Sequence, residues 1–143
     1  MKNKAFYTIA SLVFAIILLS NCDEKKCAAQ PKYTMAVDSE LTLLMRDMYT
    51  YYDSIKVDIS NGTLAKDIQI FQEVHKAVAT SPEKSSSELY QAMATIYVQS
   101  AERINSPNVN QKMAFNLMVD NCINCHKQMC PGPMVRIKKL YLE

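Results

Sequence analysis

The sequence predicts an all-α protein, folded as an antiparallel up-down bundle of four helices. Apolar residues recur at intervals of three and four over four stretches of the chain, which is the period of an amphipathic helix. No stretch alternates apolar and polar residues as a strand does, and the chain contains only two glycines for tight turns. Short polar connections separate the four stretches, which favours neighbouring antiparallel helices.

The first two predicted helices lie between residues 38 and 82. The first begins at a cap on Asp38 and stops at Gly62, and the second begins at a cap on Thr63 and ends before Pro82. The first apolar stripe comprises Leu41, Leu44, Met45, Met48, Tyr52, Ile55 and Ile59. The second comprises Leu64, Ile68, Phe71, Val74 or His75, and Val78.

The third and fourth predicted helices complete a folded domain over residues 38–130. The third begins at a cap on Ser86 or Ser87 and breaks at 105–107, and the fourth stops at 131–133, where Pro-Gly-Pro cannot continue a helix. The third stripe comprises Leu89, Met93, Ile96, Tyr97, Ser100 and Ile104. The fourth comprises Met113, Leu117, Met118, Cys122, Cys125 and Met129. Residues 131–143 form a C-terminal tail, either a further helical turn or a strap.

Residues 1–21 have the layout of an export signal, in which Lys2 and Lys4 precede an almost wholly apolar run over 5–19. That run is about 15 residues long, shorter than the ~20 that a membrane-spanning helix needs. It ends Leu-Ser-Asn-Cys, which is similar to the lipobox of bacterial lipoproteins, whose cysteine is acylated. We therefore expect lipidation of Cys22, a tether over 22–37, and anchoring to a bacterial membrane on its periplasmic side or at the cell surface. The alternative is an ordinary signal peptide with a cysteine there by chance.

The charge of the exported chain excludes one broad class of function. Because Lys2 and Lys4 leave with the signal, the formal net charge of +2 falls to zero, and no basic excess indicates nucleic-acid binding. The sequence shows no paired carboxylates, no nucleophile beside a base and no phosphate-binding loop. We therefore expect a protein that is not an enzyme.

The most informative motif is Cys-x-x-Cys-His, formed by Cys122, Cys125 and His126 in the last predicted helix. Positions i, i+3 and i+4 share one helix face, so all three side chains point towards the bundle core. This spacing is the signature of covalent haem attachment, in which two thiols bond the haem vinyl groups and the imidazole is the proximal iron ligand. Independent placement of residues gives about 0.002 chance occurrences in a chain of this composition.

Two other kinds of site compete for these residues. A zinc ion could use Cys122, Cys125, His126 and Cys130, although structural zinc sites usually draw ligands from two separate elements. A redox-active cysteine pair normally opens a helix beside a sheet, and no sheet is predicted here. A structural lipoprotein without haem, held by a metal or a disulfide, is the corresponding alternative function.

The motif on the last of four helices, together with the segment LLMRDM at 43–48, resembles the class II c-type cytochromes, the group of cytochrome c prime and its low-spin relatives. The resemblance covers roughly residues 38–130. It implies one covalent haem c on the fourth helix. Because family members often pair through their first two helices, it also implies a possible homodimer.

The resemblance implies a second iron ligand as well. Low-spin members place a methionine of the first helix against the iron, whereas high-spin members leave that position open. Met45 is the expected distal ligand and Met48, on the same face, is the second choice. Met35 and His75 are further alternatives.

The iron ligands determine the expected function. His/Met ligation suits electron transfer, so we expect a membrane-anchored electron carrier that exchanges electrons with redox protein partners. An open distal face would instead give a haem protein that binds nitric oxide or carbon monoxide.

Two cysteines remain once lipid and haem are assigned, and an exported chain faces an oxidising compartment. In an up-down bundle of four helices, the start of the first helix and the end of the last lie at the same end. We therefore predict a disulfide between Cys27 and Cys130. The alternative is two solvent-facing thiols that never meet.

Overall fold

The computed structural model describes residues 37–63 and 65–143. In these ranges the chain is all-α, with five α-helices, two 3-10 helices and no β-strand. The export signal, the lipidation site Cys22, Cys27 and Met35 lie outside the described residues. Within the two ranges, no helix combines the length and the apolar character that crossing a membrane requires.

Helix α1 spans Glu40–Ser60 and confirms the first predicted helix, with its start moved by one residue. The cap is Ser39, whose hydroxyl accepts a hydrogen bond from the Thr42 backbone N–H at 3.3 Å. Asp38 is not the cap, because its carboxylate binds the Arg46 guanidinium through two contacts of 2.5 and 3.0 Å. The helix ends as predicted before Gly62, which adopts a φ of +74°.

The prediction of a second helix is wrong for the described residues. Residues 65–71 contain no helical turn, and only a 3-10 helix at Gln72–His75 follows. The Asn105 side chain accepts a hydrogen bond from Ile68 N at 2.9 Å and donates one to Ile68 O at 2.8 Å. The Tyr51 hydroxyl accepts another from Gln69 N at 2.8 Å. Backbone groups that a helix would pair internally are thus paired by side chains from neighbouring elements.

The apolar residues of this segment were nevertheless identified correctly as core. Ile68, Phe71 and Val74 are all buried, although their backbone is not that of an α-helix. Val78, the last residue of the predicted stripe, is 57% exposed. A spacing of three residues therefore marked which side chains face the interior without determining the backbone conformation.

The other two long helices confirm the third and fourth predicted helices. After a short helix α2 at Pro82–Ser85, α3 spans Glu88–Ile104 with Ser87 as its cap, one of the two predicted residues. Helix α4 spans Gln111–Met129 and is capped by Asn110. Helices α3 and α4 make the most extensive contact between elements of the described chain. Small residues, Ala94, Ala101 and Ala114, lie buried on these two helices and let them approach closely.

The buried faces of α3 and α4 differ from the predicted stripes. Leu89, Ile96, Met113 and Leu117 were expected in the core, but each is 44% exposed or more. The buried positions, listed by helix, are Tyr90, Ala94, Tyr97, Ser100, Ala101 and Ile104 on α3, and Ala114, Phe115, Met118, Val119 and His126 on α4. The inward faces of the two helices thus carry small and aromatic side chains, while several larger aliphatic residues face outward.

The C-terminal tail is a strap that contains one helical turn, α5 at Met134–Ile137, and a 3-10 helix at Lys138–Leu140. Ile137, Leu140 and Leu142 are buried in the common core. The Asn116 side chain forms two hydrogen bonds of 2.9 Å with the Leu142 backbone. The Arg136 guanidinium lies 4.1 Å from the centre of the Tyr49 ring on α1. The strap therefore ties the end of α4 to α1.

Candidate functional site

A cleft opens where α1, the 3-10 helix at 72–75, α3 and the last turns of α4 meet. The space enclosed between its walls is ≈ 40 Å³, and those walls are almost entirely apolar. The lining residues are Met45, Met48, Val74, Tyr90, Met93, Ala94, Tyr97, Cys122, Cys125 and His126. The structure thus brings all three residues of the Cys-x-x-Cys-His motif together with both methionines singled out in the first helix.

His126 is buried, with 8% of its surface exposed, and its ring orientation is fixed by the end of its own helix. Nδ1 lies 3.1 Å from the backbone oxygen of Cys130. A carbonyl oxygen only accepts hydrogen bonds, so Nδ1 is the nitrogen that carries the proton. In the neutral ring the lone pair then lies on Nε2, the arrangement found in metal-binding histidines.

Burial also determines the protonation state of His126. Removal from water lowers the pKa of the imidazole, and the hydrogen bond to the Cys130 carbonyl opposes that effect only in part. The ring is therefore neutral at pH 7. A neutral imidazole with its lone pair on Nε2 is the form that coordinates a metal.

The two motif cysteines are protonated thiols at neutral pH. Burial is the main cause that raises the pKa of Cys122 to about 12 and that of Cys125 to about 11, and repulsion from a neighbouring cysteine adds to it. A redox-active cysteine pair requires the opposite shift, since the thiolate is the attacking species. The environment of these thiols therefore argues against a disulfide-exchange site.

The geometry of the described residues also argues against the zinc alternative. Over 37–63 and 65–143, no three His, Cys, Asp or Glu side chains converge at positions that could hold one metal ion. Cys122, Cys125 and His126 share one face of one helix, and Cys130 lies beyond the end of that helix. A tetrahedral set from these four residues would require the end of α4 to unwind.

Three methionines reach the cleft from two helices. Met48 is buried with 6% of its surface exposed, Met45 is half-buried, and both belong to α1. Met93 comes from α3, where the sequence placed it in the core stripe and gave it no role in a site. No pattern in the sequence indicated that Met93 shares a cavity with residues about 45 positions earlier, because this proximity arises only when α1 packs beside α3.

His75, the alternative second histidine ligand, does not line the cleft. Its Nδ1 lies 2.9 Å from the Gln91 side-chain oxygen, and the Gln91 amide also donates to the His75 carbonyl at 3.4 Å. These contacts tie the 3-10 helix to α3. The described structure thus gives His75 a structural environment, away from the Cys-x-x-Cys-His motif.

The tyrosines of the cleft direct their hydroxyl groups to other protein atoms. The Tyr90 hydroxyl donates to the Val74 carbonyl at 2.7 Å. The Tyr97 hydroxyl forms a buried hydrogen bond of 2.8 Å with Tyr52. Burial raises the pKa of Tyr90 to about 12 and raises that of Tyr97 further. Both rings therefore act as neutral walls of the cleft.

The predicted Cys27–Cys130 disulfide stays a prediction, because Cys27 lies outside the described residues. Cys130 is exposed and immediately follows α4. Its thiol sulfur lies 3.3 Å from Nδ1 of His126. The one half of the proposed bridge that the structure describes is therefore in direct contact with a residue of the cleft.

Comparison with protein-family models, with curated proteins and with solved structures finds no match for this chain. What the cleft can bind is therefore inferred from the residues that line it.

The residues of the cleft fit a covalently held haem. The two thiols and the imidazole lie on one face of α4, the walls are apolar, and thioether side chains stand among them. Two thiols, an imidazole and a thioether are the groups that attach and ligate the haem of a c-type cytochrome.

Proposed function

We propose that this protein is a monohaem c-type cytochrome of the class II type that acts as an electron carrier. The observation that supports it most strongly is that one apolar cleft collects Cys122, Cys125, His126 and the helix α1 methionines. The roles of the three motif residues follow from their chemistry, and the roles of the two methionines are those that the resemblance to the class II family implies. Cys122 and Cys125 hold the haem through thioethers, Nε2 of His126 is the proximal ligand, and Met45 is the distal ligand, with Met48 as second choice.

When bound, haem c supplies a one-electron Fe(III)/Fe(II) couple. The residues around it favour rapid, reversible transfer, because buried apolar walls keep water away and a thioether ligand stabilises the reduced state. His126 enters this role with its proton already on Nδ1, so Nε2 needs no rearrangement to bind iron. Electron transfer needs no acid-base pair beside the haem, so the role proposed here is not that of an enzyme.

The proposed arrangement is a class II bundle in which a segment with only a short 3-10 helix replaces one α-helix. We infer that helices α1, α3 and α4 are equivalent to three of the four family helices, and that residues 65–78 stand where the second would lie. The cleft still has a wall on this side, because Val74 of the 3-10 helix lines it. Acylation of Cys22 anchors the protein to a bacterial membrane, where it meets redox protein partners, and a homodimer is the proposed self-association.

Covalent attachment is the decisive test of this proposal. The full chain is expressed together with the bacterial haem-attachment machinery, denatured, separated by electrophoresis and stained for haem. Wild type is expected to retain haem, and Cys125→Ala is expected to lose most of it. Cys130→Ala is the matched control and should retain it, because Cys130 lies outside the motif. A folded, colourless wild-type protein would refute the proposal.

The spectrum of the reduced protein then distinguishes the electron carrier from the gas-binding alternative. Six-coordinate, low-spin bands that do not change with carbon monoxide indicate a methionine ligand. A high-spin spectrum that changes at once on addition of carbon monoxide would instead favour the haem protein that binds nitric oxide or carbon monoxide.

A further inference from the structure

The end of helix α4 folds back onto the imidazole that precedes it by four residues. The Cys130 backbone N–H donates to the His126 carbonyl at 3.0 Å, which closes the last turn of the helix. In return, Nδ1–H of His126 donates to the Cys130 carbonyl at 3.1 Å, with the Cys130 sulfur 3.3 Å away as a second acceptor. Cys130 and His126 are therefore joined by three polar contacts, two of which involve the ring.

From this geometry we infer that Cys130 is a positioning residue for His126. Cys130 holds the imidazole in one orientation and makes it a stronger electron donor to the iron. The inference rests on the proposed function, since it concerns the ligand that the haem would use. Hydrogen bonds from the outer nitrogen of a ligating histidine fix the ring and raise its basicity, and such partners affect a metal site strongly. A more basic ligand stabilises the ferric state, so Cys130 is expected to lower the reduction potential.

Pro131 is the residue that places the Cys130 carbonyl. A residue before proline is driven out of the helical region, and Cys130 has φ −159° and ψ +85°. In a continuing helix the carbonyl would point along the helix axis, away from the ring. The strap beyond Pro131 is fixed by the buried side chains of Ile137, Leu140 and Leu142, so the turn has an anchored far side.

The experiment measures the midpoint potential of the haem-loaded full chain by optical redox titration. Cys130→Ala removes the sulfur acceptor, so the ferric-to-ferrous ratio at a fixed potential should fall about threefold. This corresponds to a rise of ~28 mV in the midpoint potential, because a tenfold change equals ~59 mV for one electron. Cys130→Ser should restore most of this, because a hydroxyl also accepts a hydrogen bond. Pro131→Ala lets the helix continue past Cys130, and the ratio should fall about tenfold, or ~59 mV.

Two control variants separate this effect from others. Pro133→Ala changes an exposed proline of the same turn without freeing Cys130 from its restriction, and should leave the potential unchanged. Cys27→Ser abolishes the predicted disulfide while it leaves the Cys130 thiol in place. A shift in Cys27→Ser equal to that in Cys130→Ala would assign the effect to the bridge and overturn the inference.

A second readout follows the ring itself. The Nδ1 proton of His126 in the reduced protein should exchange with water more slowly in wild type than in Pro131→Ala. Identical potentials and exchange rates in wild type, Cys130→Ala and Pro131→Ala would overturn the inference and leave the proposed function intact. Failure to attach haem in wild type would instead refute the proposed function, and that result is distinguishable at the first step.

Discussion

The buried pair of tyrosine hydroxyls behind the cleft offers the sharpest test of the fold. The hydroxyl oxygens of Tyr52 and Tyr97 lie 2.8 Å apart, and the Tyr52 hydroxyl also donates to the Gln69 carbonyl at 3.3 Å. Either hydroxyl can donate in the bond between the two tyrosines. We consider the variants Tyr52→Phe and Tyr97→Phe, each of which removes one oxygen atom and leaves the aromatic ring in place.

The magnitude follows from burial. Tyr52 and Tyr97 are 2% and 5% exposed, so a hydroxyl left without its partner is not rescued by bulk water. An orphaned buried polar group costs about 1–3 kcal/mol, whereas removing both partners together costs much less than the sum. Tyr52→Phe leaves the Tyr97 hydroxyl without this partner and should lower the free energy of unfolding by about 1–3 kcal/mol. Tyr97→Phe leaves Tyr52 its bond to Gln69 and should cost about 0.5–1.5 kcal/mol, and the double variant should cost less than the two single losses added together.

Alkaline pH adds an independent signature of the same pair. Burial is the main cause that raises the pKa of both tyrosines, so the fold favours their neutral forms. The stability this contributes is complete below about pH 10, where tyrosine of the unfolded chain is neutral, and is lost as the pH rises further. The double variant should lose less stability than wild type between pH 9 and pH 11. Tyr90, whose pKa is also raised by burial, retains part of this pH dependence in the double variant.

Urea unfolding followed by circular dichroism measures these energies in the haem-loaded protein. Tyr49→Phe is the matched control, because the structure gives its hydroxyl no hydrogen bond within the described ranges and the ring keeps its contact with Arg136. Strictly additive single and double variants, with a coupling energy near zero, would refute the direct hydrogen bond between Tyr52 and Tyr97.

Three further predictions concern the site and its surroundings. Met45→Leu should convert the reduced protein to a high-spin form that binds carbon monoxide, whereas Met48→Leu should remain low-spin with a stability loss below about 1.5 kcal/mol, as expected for an isosteric swap; the opposite pattern would move the ligand by one turn. Peptide mapping without reduction should recover a linked peptide containing Cys27 and Cys130, and alkylation of both in native monomer would exclude the bridge. Asn105→Ala removes the two hydrogen bonds between its side chain and the Ile68 backbone, and should lower the free energy of unfolding by about 1–3 kcal/mol. An unchanged urea midpoint would contradict a stabilising role for these bonds.

The helices that formed as predicted share a local cause. Ser39, Ser87 and Asn110 each accept a backbone hydrogen bond at a helix start, and Pro131 lies just beyond the end of α4. Caps and breakers act over one turn of chain, so they are readable from neighbouring residues.

The predicted second helix also had a candidate cap, Thr63, and a breaker, Pro82, yet residues 65–71 are not helical. The spacing of apolar residues in this segment fitted a helix, but Asn105, about 37 residues away, paired with its backbone instead.

The sequence by itself determined the all-α class, three helices and the motif Cys122, Cys125 and His126, because each depends on residues within a few positions of one another. Only the tertiary structure decided that Met93 shares their cleft with the α1 methionines and that the Asn105 side chain pairs with the backbone where a helix was predicted. Each of these joins groups whose approach depends on helix packing. Local spacing carries no information on such distances, since they are set by close packing of the whole interior.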